Sequence, residues 1–245
     1  MDHTTVEAAR ATVIAVLEAG ERKPPTSRGR RAQANIRRAA IALLNEKGYR
    51  RISINDVARR ADMAAGLFYH YYADLRTLCI SLIMEFLDAL DATDQIEKDV
   101  PRGDWFGRIK AHYHSEVACY SQSPGLVQCI AVIAEELPEL GWLWRESRHL
   151  RSAQLVSRIS RLFPGAQITQ RDSRLLVHML GSLGVSTLDE YYIQRRSPLL
   201  ALELSDDAMV EWMAALFYRG LFLQNPPPEQ LAHAQVLALI TKESG

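Results

Sequence analysis

The chain has 245 residues, 48% hydrophobic and 24% charged, with 29 basic and 29 acidic side chains. That length gives ample room for a core, as one large domain or two small ones, and the balance is that of an ordinary globular protein rather than a disordered or fibrous one. No apolar run reaches the roughly 18 residues of a membrane-crossing helix, and three scattered cysteines without a CxxC pair argue against a disulfide framework or a cysteine-built zinc site.

The net charge of zero conceals an uneven distribution. From Glu21 to Arg60 there are twelve basic residues and three acidic ones, an excess of nine positive charges that the rest of the chain must offset. A basic block on an acidic body points to a polyanionic partner for one end of the molecule.

In chain order, the start lacks the cleavable apolar core expected of a signal peptide. Val6, Ala9, Val13 and Leu17 fall on one stripe of a predicted helix over Thr5–Ala19 that stops at Gly20. "ERKPPTSRGR" breaks at Pro24 and Pro25 and reads as a linker. The next predicted helix, Arg31–Lys47, turns Ala39, Ala40, Leu43 and Leu44 inward and ends at Gly48. Ser53 and Asp56 have capping-pair spacing at the head of "SINDVARRA", whose buried side is Ile54, Val57, Ala58 and Ala61. A short turn, "DMA", leads into a brief helix, "AGLFYHYY", and Asp74 is placed to cap a helix running toward Ala92. Six further helices are expected: Asp104–Gln122, Pro124–Glu136, Glu139–Phe163, Gln170–Arg196, Asp206–Gln224 and Glu229–Lys242. The predicted fold class is all-α.

Two short helices joined by a tight turn, after a longer helix and inside a basic block, fit a DNA-reading helix-turn-helix. The second helix must enter a major groove about 12 Å wide with its first residues at the base edges. Gly66, with no side chain, lets the backbone come close to a phosphate or a base. Tyr69, His70 and Tyr71 offer hydroxyl and ring N–H groups to DNA, while Phe68 and Tyr72 are expected to plug the helix into its own core.

These residues carry a family resemblance. "GYRRISINDVARRADMAAGLFYHYYADLRTL" resembles the DNA-binding segment of the TetR family of transcriptional regulators, with Gly48, Tyr49, Ser53, Val57, Ala58, Ala61, Gly66, Phe68, Tyr69, Tyr71, Tyr72 and Leu78 in the matching positions. The resemblance covers roughly residues 31–80 and departs in three places. Asp62 stands where the turn usually has glycine, and Asp tolerates the left-handed backbone better than most residues. Ala64 and Ala65 replace the usual serine and basic residue. Leu75 replaces a phosphate-binding lysine, for which the neighbouring Arg76 is the candidate substitute.

The resemblance implies a three-helix DNA-binding domain over residues 28–73, preceded by an extension helix and linker (1–27) and followed by a larger helical regulatory and dimerisation domain (74–245). The candidate DNA contacts are Arg28, Arg30 and Arg31 in a basic arm, then Ser53, Ile54 and Asn55. On and around the reading helix they are Ala64, Ala65, Gly66, Leu67, Tyr69, His70, Tyr71 and Arg76. The extension helix is expected either to dock on the body or to track DNA, and its few charges favour docking.

Other chemistries fare worse. His112 and His114 are two apart, so a helix points them away from each other and they cannot share one ion; no metal site or cofactor is expected. No GxSxG, HExxH or glycine-rich phosphate loop occurs, so the chain is not expected to be an enzyme. Aromatic and polar residues of the later helices form the candidate ligand pocket: Trp105, Phe106, Tyr113, Tyr120, Trp142, Trp144, His178 and Met179. Small and apolar positions on two late helices form the candidate dimer face. On the first helix they are Gly181, Ser182, Gly184, Val185 and Leu188; on the second, Trp212, Met213, Leu216 and Phe217. The expected protein is a cytoplasmic homodimeric regulator, a repressor released from a palindromic DNA operator by a small-molecule effector. The alternative is a regulator controlled by a protein partner or by no ligand.

Overall fold

The computed structural model describes residues 3–22, 24, 26–92, 100–195 and 198–240. Among these the helices are α1 (His3–Gly20), α2 (Ser27–Lys47), α3 (Ile54–Arg60), α4 (Ala65–Phe68), α5 (Leu75–Ala92), α6 (Trp105–Gln122), α7 (Pro124–Ile133), α8 (Pro138–Leu162), α9 (Gln170–Leu188), α10 (Asp206–Phe222) and α11 (Val236–Leu239). The protein is all-α, as its hydrophobic period demands. One isolated bridge, Glu21 with Tyr72, is the only β-type pairing among the described residues.

The helix boundaries have local causes. Thr26 caps α2 by accepting from Gly29 N at 3.1 Å. Gly48 closes α2 at φ 72°, a backbone that favours glycine. At α3 the Ser53–Asp56 capping box is complete, with Asp56 N donating to Ser53 Oγ at 3.2 Å and Ser53 N to Asp56 Oδ2 at 3.0 Å. Asp74 caps α5 by accepting from Thr77 N at 2.7 Å. Thr169 and Ser205 cap α9 and α10 in the same way.

Three expectations are corrected. The basic arm is not an extended lead-in, because α2 starts at Ser27 and takes Arg28, Arg30 and Arg31 into its first turns. The predicted helix over Gln170–Arg196 leaves α geometry after Leu188 and continues as a π turn over Asp189–Gln194. In place of a helix from Glu229, the chain makes a 3₁₀ turn (Pro228–Gln230) and then only the single-turn α11. The parts of these expectations that fall on Lys23, Pro25, Arg196, Thr241 and Lys242 lie outside the described residues.

The chain forms two compact units, residues 1–91 with 123–148, and residues 92–122 with 149–245. In the first, one apolar cluster joins Ala9 and Val13 of α1 to Ile36, Leu43 and Leu44 of α2, Val57 of α3, Phe68 of α4, and Leu78 and Ile83 of α5. It extends through Ile130 and Ile133 of α7 to Leu140 at the start of α8. α7 seats tightly on the end of α2: a Cβ on Gly125 would lie 2.2 Å from the Leu44 carbonyl, and Gly125 N donates to Asn45 Oδ1 at 2.9 Å. In the second unit α10 packs against α6 and α9. Its buried Glu211 accepts from three successive backbone N–H groups, Ala232, His233 and Ala234, at 2.6–2.8 Å. That carboxylate and Arg219, which donates to the carbonyls of Leu237 and Ile240, fasten the last described segment to α10.

Candidate nucleic-acid interface

The reading helix α4 is a single turn, and Ala64 at its start makes no side-chain cap. So short a helix does not hold itself together in water, and its position must come from its surroundings. Phe68 provides the anchor: it is fully buried, with its ring 5.8 Å from those of Tyr69 and Tyr72. Truncating such a ring costs about 3–5 kcal/mol. Tyr72 is equally buried, and its hydroxyl accepts from Arg37 at 3.0 Å. Burial pushes the Tyr72 phenol upward despite the guanidinium beside it, so it stays neutral.

The turn before α4 is fixed by Asp62 at φ 54°, in the left-handed region, and by Met63 N donating to Ala58 O at 3.0 Å. Asp therefore does occupy the backbone usually given to glycine, at a cost of about 1 kcal/mol. On the outer side of α4, Gly66 is exposed and a Cβ there would meet nothing within 4 Å. Leu67 is 46% and Tyr69 53% exposed, and His70 is exposed beside them. The ring cluster thus divides as its spacing predicts, with Phe68 and Tyr72 inward and Tyr69 and His70 outward. Tyr71 is half-buried, and its carbonyl accepts from Arg22 N at 2.9 Å.

The remaining candidates on this unit are less uniform. Ser53 and Asn55 are exposed, and Ile54 and Ala65 are half-buried. Arg28, Arg30 and Arg31 are exposed on the first turns of α2. Arg76 faces Glu136 at 3.2 Å, so the substitute for the missing lysine already has an acidic neighbour. Asn55, Ala58, Arg59, Asp62, Met63, Ala64 and Ala65 line an open concavity along the turn. Arg59 there is 77% exposed in its side chain, pairs with Asp56 at 2.6 Å, and is a candidate contact that sequence reasoning missed. Its charge was legible, but its face on α3 was not. Arg60 is likewise paired, with Glu46 at 2.8 and 2.6 Å, and hydrogen bonding to Arg60 keeps the Glu46 carboxyl below its usual range.

A family model described as bacterial regulatory proteins, tetR family, matches residues 36–78, the span from α2 into α5 that holds this turn. Over that span the chain carries a DNA-binding segment of the TetR type. Among curated relatives, the transposon Tn10 TetC protein of Escherichia coli is 25% identical over 144 residues, 58% of this chain and 71% of the relative. The HTH-type transcriptional repressor KstR of Rhodococcus jostii is 27% identical over 89 residues, 36% of this chain and 42% of that protein. Solved structures of the same fold include the fatty acid degradation regulator FadR from Bacillus halodurans. It has TM-score 0.55 and 21% identity, with 82% of this chain and 98% of that one covered. A TetR-family regulator from Bordetella parapertussis has TM-score 0.57 and 18% identity, covering 80% and 98%. FadR from Bacillus subtilis, solved with stearoyl-CoA, has TM-score 0.51 and 17% identity, covering 77% and 97%. The matched segment and these relatives support a DNA-binding transcriptional regulator. No described helix is long and apolar enough to cross a membrane.

The residues expected to line a TetR-type ligand pocket are divided between the two units. Trp142 and Trp144 lie in the first unit, where Trp144 stacks on Phe86 at 5.9 Å. His178 and Met179 are exposed on α9. Trp105, Phe106, Tyr113 and Tyr120 belong to the second unit, where the last three are buried. There a ring cluster includes partners that sequence reasoning left out: Phe106 against Tyr218 at 5.7 Å, Trp105 and Phe163 against Phe222 at 6.4 and 5.6 Å, and Tyr113 against Phe217 at 6.1 Å.

The expected dimer residues also split. Gly184, Leu188, Met213 and Phe217 are buried within the unit. A Cβ on Gly184 would sit 2.8 Å from Met213 and 3.1 Å from Tyr113, so its bare backbone serves packing inside the chain. Val185 and Trp212 are half-buried; Gly181 is half-buried with nothing near its missing Cβ. Ser182 and Leu216 are exposed, and the exposed set continues along α9 through Leu175, Met179 and Leu183, at 57%, 61% and 68%. The exposed apolar positions of α9 therefore differ from those expected from spacing.

Proposed function

We propose that this protein is a ligand-responsive repressor of the TetR type that binds a palindromic operator as a homodimer. The observation that carries the DNA end is the outward α4 turn, bare at Gly66 and flanked by Leu67, Tyr69 and His70, within a segment of excess positive charge. The dimer rests on Leu175, Met179 and Leu183, successive positions of one face of α9, with Leu216 of α10. A two-fold pairing of that face buries the stripe against its own copy and presents two reading helices to half-sites one DNA turn apart, about 34–36 Å.

The effector reading rests on the apolar ring cluster of the second unit and on the fold shared with a FadR solved with stearoyl-CoA. An apolar molecule held among those rings favours a dimer geometry that fits only one half-site at a time, and the operator is released. Such a regulator works in the cytoplasm, where the DNA is.

The test is to select duplexes from a random-sequence pool with the full chain, then titrate the complex with a panel of apolar effectors that includes stearoyl-CoA. Two related half-sites about 10 base pairs apart, and release by at least one effector, are the expected results. A selected site without internal symmetry removes the dimer reading, and indifference to every effector leaves the regulator controlled by a partner or by none.

A further inference from the structure

The helix before the DNA-binding domain ends directly against the reading segment. Arg22 N donates to Tyr71 O at 2.9 Å and Ala73 N donates to Gly20 O at 2.8 Å, so residues 20–22 and 71–73 form a short antiparallel bridge around the Glu21–Tyr72 pair. This bridge grips the chain immediately after α4, at its exit. Glu21 also accepts from Gln33 Nε2 at 3.2 Å and lies 3.6 Å from the Arg37 guanidinium. That same guanidinium donates to Tyr72 Oη and to Ser81 Oγ at 2.8 Å and pairs with Glu85. One partly buried charge therefore ties together the end of α1, α2, the exit of the reading helix and α5.

The rest of α1 explains how the grip is held. Ala9 and Val13 are buried in the core of the unit, and Arg10 pairs with Asp88 of α5. Gly20 sits so close to α5 that a Cβ there would lie 2.8 Å from both Thr77 Oγ1 and Thr77 Cγ2, and Thr77 is itself buried. From Thr5 to Gly20, Arg10 is the only basic residue, and it is spent on Asp88, which does not suit a helix that tracks phosphates.

We propose that α1 is a positioning element of the DNA-reading domain, whose carboxyl end sets the angle of the one-turn reading helix by bridging its exit. Base readout tolerates little displacement, whereas phosphate attraction does not depend on fine alignment. Loosening the bridge therefore lowers sequence-specific binding and leaves non-specific binding alone.

The inference rests on the DNA-binding function and is tested with the duplex selected by the unaltered full chain and a scrambled duplex of the same composition. Gly20→Ala pushes the bridge off α5 and lowers the specific-to-scrambled affinity ratio roughly tenfold, the loss expected for about one well-made hydrogen bond or somewhat more. Because no phosphate contact is removed, the salt dependence on either duplex stays the same. Adding Thr77→Ala to Gly20→Ala removes both clashing atoms and restores most of the ratio, which a general loss of stability would not do. Glu21→Gln keeps the main-chain bridge but removes the charge facing Arg37, and lowers the ratio roughly threefold. A folded Gly20→Ala chain with an unchanged ratio overturns the inference, as does a reduced salt slope, which would put α1 on the DNA. Should Gly20→Ala not fold, Glu21→Gln decides by the same ratio. If the unaltered chain selects no duplex, the DNA-reading assignment itself falls, and this inference with it.

Discussion

Around its reading helix the first unit exposes Leu67, Tyr69, His70 and Arg59, side chains that combine ring edges, hydroxyls and positive charge. On α9 the second unit exposes Leu175, Met179 and Leu183, which offer almost no hydrogen bonding. Both units fill their interiors with the same kinds of apolar side chain, so their cores do not distinguish them. What each leaves uncovered does: polar rings beside a bare backbone suit a phosphate-edged groove, and an aliphatic stripe suits an equally dry surface.

The contrast can be broken most sharply at the dry surface. Leu183→Glu places a charge on the stripe and is expected to weaken the proposed dimer by at least about a thousandfold, because an unpaired carboxylate resists burial. Sedimentation velocity at a few concentrations reads the shift from dimer to monomer, and a Leu183→Glu dimer as tight as the unaltered one would show that the stripe faces solvent.

At the wet surface, Gly66→Val adds a branched side chain where a duplex must approach. Nothing in the protein opposes that side chain, so the fold should survive while specific binding falls about a hundredfold or more. Fluorescence anisotropy with the selected duplex and a melting curve separate the two effects.

The next effect is internal to the second unit. Glu211→Gln leaves buried N–H groups poorly matched and should cost about 2–3 kcal/mol, measured by chemical denaturation. Burial alone would raise the Glu211 carboxyl, but the N–H groups of Ala232, Ala234 and His233, with Lys110 nearby, outweigh it and the net shift is downward from 4.5. A depressed folded value means that the carboxylate's contribution is present above the unfolded value and is lost as pH falls through the lower folded one. Amide exchange at residues 232–234 should therefore quicken only below about pH 4.5, and a loosening centred near neutrality would contradict the clasp.

Replacing Arg28 and Arg31 by alanine sharpens the account of the wet surface. Both lie on the first turns of α2, and removing two phosphate contacts should reduce the salt slope by about 1.8, with affinity for all sequences falling together. A loss confined to one sequence would instead make them base readers. The smallest change is Asp62→Gly, which relieves a left-handed backbone and should stabilise the chain by at most about 1 kcal/mol in thermal unfolding.

Much of the first unit was legible before folding. The Ser53–Asp56 box, the Gly48 stop and the division of rings between Phe68/Tyr72 and Tyr69/His70 are local facts of capping, backbone freedom and helical period. The second unit was less legible because its signals are ambiguous at short range. Gly184 and Gly181 look alike in sequence, yet one is filled by Met213 and Tyr113 and the other has nothing near it. Trp142 and Trp144 look like pocket rings, but Trp144 is committed to Phe86, 58 positions earlier in the chain. The late helix expected from Glu229 failed for a related reason: N–H groups that would have carried a helix instead converge on Glu211.

The sequence by itself determined the all-α class, the order of the helices and the identity of the reading turn, because these depend on interactions among residues three or four apart. Which glycine admits a neighbour, which arginine is already paired and what the extension helix grips were decided only by the tertiary structure. Those outcomes depend on contacts such as Gly20 with Thr77 and Arg22 with Tyr71, between residues that nothing in the local pattern brings together.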